Sequence, residues 1–138
     1  MAHTDLRHVH VECEMNDDEP FRLFTKLERG EKSVEVRVLI PPKGEEPRTK
    51  WWSLCPGEWD TAELTVVCAG DPSRRFTRPV QRSFMAFGYR ALIDQVGHQR
   101  CVPGTLNTED AIERVYKRFY PDKLEGYNVL GIELVPPK

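Results

Sequence analysis

A small α+β domain is what this chain predicts, and three observations carry the prediction. Two-residue alternation of the kind a strand needs occurs at 8–12 and 33–40. Apolar positions at helical spacing occur at 21–28 and 107–119. A length of 138 residues suits one domain, 1–138, able to bury roughly two-thirds of the surface its unfolded state exposes. No internal repeat or low-complexity tract interrupts the order β-α-β-(loop)-β-α-α-β, which predicts a small curved sheet or barrel with flanking helices.

His8 to Glu12 alternates around Val9 and Val11 and predicts a first strand; the acidic stretch from Met15 to Glu19 reads as a loop. Pro20 can open a helix whose buried face is Phe21, Phe24 and Leu27, and Gly30 stands where a left-handed residue would stop it. From Ser33 to Ile40, four apolar residues (Val34, Val36, Val38, Ile40) share one face, with Ser33, Glu35, Arg37 and Leu39 on the other, as in a half-buried strand. The insert at about 41–60 is rich in proline and holds Trp51, Trp52 and Trp59, all the tryptophans of the chain. A loop that long is ordinarily functional or disordered, and three large apolar rings argue against disorder.

A strand at Ala62 to Cys68 follows, then a Gly70-Asp71-Pro72 turn. Val80, Phe84, Phe87, Ala91 and Val96 predict a helix over Pro79 to Val96, ended by Gly97. Asn107-Thr108-Glu109-Asp110 is a capping residue followed by first-turn acids, opening a helix with Ile112, Val115, Tyr116 and Phe119 as its buried stripe. Tyr120-Pro121 ends it, and Tyr127 to Val135 reads as the last strand.

The four cysteines, Cys13, Cys55, Cys68 and Cys101, form no C-x-x-C pair, and no charged-then-apolar leader is seen, so a reducing, cytoplasmic setting is expected, with the nucleus as the other option. No apolar stretch approaches the ~18 residues of a membrane span. Net charge is only -2, but it is segregated. Glu12 to Glu19 holds acids and no base, whereas Pro72 to Ile93 holds Arg74, Arg75, Arg78, Arg82 and Arg90 and no acid. Both runs suit a solvated surface, and the second also suits contact with phosphates.

The run Gly30 to Arg37 sets glycine, lysine, glutamate and arginine at the spacing G-x-K-x-x-E-x-R. Average residue usage would produce that match in a chain this long on the order of a few times in a thousand. Gly30 frees the backbone for a helix-to-strand turn, and Lys32 then projects where the chain changes direction. Lys32 is either an exposed lysine or a positive charge for a phosphate or a carbonyl. Glu35 and Arg37, two apart on a strand, have Cα atoms about 7 Å apart and can pair or converge on a ligand. A carboxylate between two cations should have a lowered pKa, suiting it to orient them more than to shuttle protons; Arg37 would bind phosphate or stack on a base.

A short helix followed by Gly30-x-Lys32-x-x-Glu35-x-Arg37 entering a strand resembles the ASCH family, a branch of the PUA-like folds, in which this signature lies at a cleft in a small β-barrel. The ending is similar too: Ala111 to Pro121, closing in Tyr120-Pro121, then the strand from Tyr127 to Leu134. The resemblance covers Phe21 to Ile40 and Glu109 to Val135, and the tryptophan-bearing insert departs from it. It implies a PUA-like β-barrel that binds RNA or a modified nucleotide in a cleft lined by Lys32, Glu35 and Arg37. Arg74, Arg75 and Arg78 would be auxiliary phosphate contacts, with Trp51, Trp52 and Tyr127 beside the ligand.

The alternative is a small hydrolase, an acyl-nucleoside amidohydrolase or a ribonuclease, using the same cleft with Lys32 and Glu35 as catalytic groups. Relatives of the amidohydrolase type place a threonine nucleophile where this chain has Glu35, which moves the expectation toward binding; Thr25, Ser33 or Tyr127 could stand nearby. The aromatics Phe76, Phe84, Phe87 and Tyr89, interleaved with arginines, could add stacking surface, although Phe84 and Phe87 fit a helix core better. The tryptophan insert could cap a barrel end or dock a protein partner. No cofactor and no metal site is expected: His8 and His10 share a strand face while Cys13 points elsewhere.

Overall fold

The computed structural model describes residues 6–138. Strands β1 (His8–Met15), β2 (Val34–Leu39), β3 (Thr61–Cys68), β4 (Arg75–Phe87) and β5 (Asn128–Leu134) form one sheet in the order β1-β3-β4-β5-β2, curled into a half-barrel. β1 runs parallel to β3, and the other pairings are antiparallel. With the helices packed around it the class is α+β. Helix α1 (Leu23–Arg29) lies between β1 and β2; α2 (Tyr89–Val96) and α3 (His98–Cys101) follow β4. A last helical segment comprises α4 (Thr108–Ala111), a π-helical stretch (Ile112–Tyr116) and α5 (Lys117–Phe119).

Several local expectations hold. Gly30 ends α1 at φ 84°, and its missing side chain matters twice, because a Cβ there would come within 2.7 Å of Pro137 Cδ. The Asn107 side chain accepts the Asp110 amide at 2.8 Å and starts α4. The helical segment stops at Phe119, before Tyr120-Pro121.

The helix expected from Pro79 is instead the second half of a thirteen-residue strand. β4 pairs with β3 through Arg75–Pro79 and with β5 through Val80–Phe87, so Pro79, which has no N–H, sits where the strand changes partner. A register shift between Val80 and Arg82 interrupts the alternation there, and the surviving apolar positions mimic a helical period. Gly88, at φ 98°, stops the strand, and α2 begins at Tyr89.

β2 also departs from expectation. It is buried on both faces rather than half-buried, because α3 and the turn of the insert pack against it. That places Glu35 inside the protein.

Candidate functional site

The two edge strands, β1 and β2, face each other across a seam bridged by side chains. Arg37 Nη2 donates to the Glu14 carbonyl of β1 at 2.9 Å, and the Lys50 ammonium donates to the Glu12 carbonyl. Lys50 belongs to a 3-10 turn of the insert (Lys50–Leu54), which seats Trp51 in the core. The Arg37 guanidinium carbon lies 4.8 Å from the Trp51 ring centroid, and Lys50 Nζ lies 5.5 Å from it. Strand edges left unpaired invite aggregation, and here cations on one ring cover them.

Behind Arg37 the signature closes on itself. Glu35 Oε2 accepts from Arg37 Nη2 at 2.8 Å and from Nε at 3.2 Å, while Oε1 accepts the Val36 amide at 3.1 Å. Lys32 Nζ stands 3.5 Å from Glu35 Oε1. Burial raises the Glu35 pKa, but Arg37, Lys32 and the hydrogen bonds outweigh it and hold the carboxyl below its ordinary value. For Arg37, burial favours the neutral form and Glu35 reverses that, so the guanidinium stays charged.

Lys32 is not the ligand-facing lysine expected. It is 1% exposed, and its ammonium donates to the carbonyls of Val34 in β2 and Cys101 in α3. It ties helix to strand and supplies Glu35 with a second cation. Arg37, with its side chain 17% exposed, is the signature cation that reaches solvent.

Two clefts meet at Arg37. One, of about 100 Å³, is bounded by Glu14, Asn16, Glu35, Tyr116 and Phe119; the other, of about 420 Å³, by Val38, Ile40, Thr49, Lys50 and Trp51. Arg37 and Tyr120 line both. Tyr89 stacks on Tyr116 at 4.7 Å and on Tyr120 at 6.4 Å, so the aromatic wall runs from the core to the lip. The π-helical stretch carries Tyr116, and such stretches recur at functional sites. Burial, then Tyr120 and Glu35, raise the Tyr89 pKa, so its hydroxyl stays protonated. Cys13 and Cys101, near the cluster, have thiols pushed up to about 11 by burial and offer no thiolate nucleophile.

The fold is shared with two solved proteins. The crystal structure of hypothetical protein PH0355 is 19% identical with a TM-score of 0.59, covering 94% of this chain and 99% of that one. The solution NMR structure of protein PF0455 from Pyrococcus furiosus is 21% identical with a TM-score of 0.53, covering 95% and 98%. At these identities the likeness is one of fold. No family model and no curated protein matches the chain.

The remaining expected residues lie outside both clefts. Arg74 contacts Asp17 at 3.3 Å and Glu28 at 3.2 Å, and Arg75 contacts Glu12 at 3.5 Å. The acidic arm and the basic segment are thus partners to each other. Arg78 is buried, stacks on Phe76 at 4.7 Å, and donates to the Leu27 and Glu28 carbonyls at the C-terminus of α1, the first of which also accepts the Gly30 amide. Arg74 and Arg75 are thus already paired with acids, and Arg78 with backbone carbonyls. Trp52 donates its indole N–H to the Ile40 carbonyl at 3.2 Å, and the Tyr127 ring sits under Lys123 at 5.8 Å. Thr25 is held by Asp17, and the Ser33 hydroxyl accepts from Arg100 at 3.4 Å. Phe76 packs on Phe24 and Tyr89 is fully buried, whereas Phe84 is half-buried and Phe87 is 67% exposed, both on strand β4 and not in the helix core expected for them. His8 and His10 bond Thr61 and Thr65, each at 2.8 Å, across the β1–β3 pair.

Sequence reasoning missed Tyr120, Lys50, Asn16 and Phe119 as cleft residues. Phe119, expected in the buried stripe, is instead 38% exposed at the cleft, and Tyr120 carried a usable sign, since it stands at the end of the helix before Pro121. A cavity of about 530 Å³ between Gly88–Arg90 and Ile112–Lys117 holds no signature residue; Arg90 there pairs with Glu109 and Lys117 with Glu113.

Proposed function

We propose that the chain is an ASCH-type, PUA-like domain that binds single-stranded RNA or a modified nucleotide at the paired clefts beside Arg37. One observation carries the reading. Arg37 is charged, fixed by two hydrogen bonds to Glu35, and shared by both clefts, with the Tyr120 ring beside it. A guanidinium held in a fixed plane beside an aromatic ring suits phosphate or a base edge together with a stacked base.

Binding is favoured over hydrolysis by the state of the carboxylate. Both Glu35 oxygens already accept hydrogen bonds, and its pKa is lowered, which makes it a weak general base. Lys32 has no surface to present to a substrate.

NMR titration with nucleosides, nucleotides and short single-stranded RNA tests this. Resonances of Arg37 and Tyr120 should move first, and RNA affinity should fall steeply with salt. Arg37→Gln should weaken binding about tenfold, the scale of a lost charge-assisted hydrogen bond. Because Arg37 also neutralises Glu35, Tyr120→Leu provides a second variant that leaves the cluster intact. Absence of binding across the panel at low salt, or affinity untouched by both variants, overturns the reading.

A further inference from the structure

The insert does two things at once. It bridges the seam between β1 and β2, and in doing so it encloses the larger of the two clefts. That cleft, about 420 Å³, falls inside the roughly 300–1,000 Å³ range of small-molecule sites. Its walls are Val38, Ile40, Trp51 and Tyr120, its polar corners are Arg37, Thr49 and Lys50, and among the described residues no carboxylate lines it. The neighbouring cleft has the opposite character: about 100 Å³, with Glu14 and Glu35 on its surface. A flat aromatic group fits the first by size, and the first also offers a phosphate two cations, Arg37 and Lys50.

We propose that the insert builds a nucleobase slot, so that the ligand is a nucleotide whose base lies between Trp51 and Tyr120 and whose phosphate meets Lys50. This rests on the nucleotide reading of the Arg37 site and adds to it an orientation and a requirement for phosphate. Lys50 is suited to that contact: its ammonium has three hydrogens, and among the described residues it donates to the Glu12 carbonyl. Trp51 is 9% exposed and forms a rigid wall, whereas Tyr120 is more open and supplies the stacking face. The base must leave any duplex stack to enter, so the source is either a free nucleotide or a nucleotide within a single strand.

The test titrates labelled protein with AMP, adenosine, a short oligo(A) strand and an A·U duplex. AMP should shift the Trp51 indole N–H and Tyr120 and bind more tightly than adenosine. Lys50→Glu should weaken AMP by about fivefold, the scale of one exposed ion pair, and adenosine by less. Lys50→Gln should reproduce a smaller part of that loss, and thermal melting checks that both variants fold. Tyr120→Leu should weaken AMP and adenosine alike, by roughly fivefold or more. With AMP bound, a strand held more tightly than AMP assigns the base to a single strand, and AMP held at least as tightly assigns it to a free nucleotide; either supports the slot. Equal affinity for AMP and adenosine, no effect of Lys50→Glu, or a duplex bound as well as the strand overturns it. If Arg37 responds while Trp51 and Tyr120 do not, the slot falls and the Arg37 site stands. If nothing binds, both fall.

Discussion

Two charge networks flank the N-terminal helix, and they differ in what they leave over. In the first, Glu35 lies between Lys32 and Arg37, two cations around one acid. In the second, Arg22 and Arg74 meet Asp17, Glu19 and Glu28, three acids around two cations. Each lowers the pKa of its central carboxylate despite some desolvation. The residual charge has opposite sign, positive at the signature and negative at the arm. The surplus is also placed differently: Arg37 opens on two clefts, whereas Arg74 closes on Asp17, Thr25 and Glu28. An arginine-rich stretch is therefore a weaker guide to an anion site than one arginine whose partners leave a face open.

The sharpest way to break this comparison is at Lys32. Lys32→Met keeps the volume of the stem and removes the charge, leaving Glu35 with one cation and the Val34 and Cys101 carbonyls without their donor. Removing one partner from a buried charge pair costs about 3–5 kcal/mol, and urea unfolding should show a loss of that size. A loss under about 1 kcal/mol would mean the ammonium does not hold the cluster together, since exposed pairs have that scale.

Asp17 offers the next largest effect, through pH. Burial raises its pKa, but hydrogen bonds from Arg22 and Thr25 and the Arg22 charge bring it down from 3.8 to about 2. A carboxyl with a depressed folded-state pKa stabilises the protein above its unfolded value and loses that contribution as pH falls through the folded one. At about 1.4 kcal/mol per unit, the network contributes at most about 2.5 kcal/mol at neutral pH, disappearing between pH 3.8 and about 2. Glu35 shifts in the same direction, so the difference between wild type and Asp17→Asn isolates Asp17. That difference, measured by denaturant unfolding, should shrink across this window. A difference independent of pH would remove the charge from the explanation.

What could be read from sequence follows the range of the interactions. The turn at Gly30, the strand state of β2 and the Asn107 cap are set by residues within a few positions of one another, and all appear as expected, whereas the burial of both faces of β2 is set by elements distant in the chain. The strand nature of β4 depends on partners in β3 and β5, and its own apolar spacing is distorted by the register shift at Val80. The burial of Lys32 depends on a carbonyl 69 residues away. The partners of Arg74 and Arg75 lie 46 to 63 residues distant, so a local reading found a basic run without its acids. Glu35 and Arg37 could be paired from strand geometry alone, but which face of Arg37 stays open is decided by the insert and by Tyr120.

The smallest effect belongs to Arg75, and it is diagnostic for that reason. Its pair with Glu12 spans 3.5 Å between side chains 52% and 57% exposed, so Arg75→Gln should cost under about 1 kcal/mol. If the signature side of the molecule carries the anion site, the same variant should leave affinity for a short single-stranded RNA within about twofold, and the salt dependence should drop by less than the roughly one unit of slope expected for a true phosphate contact. A full unit of slope lost at Arg75, with none lost at Arg37→Gln, would reverse the comparison. The ion pair with Glu12 would then be a surface contact that RNA displaces, and the basic strand rather than Arg37 would hold the ligand.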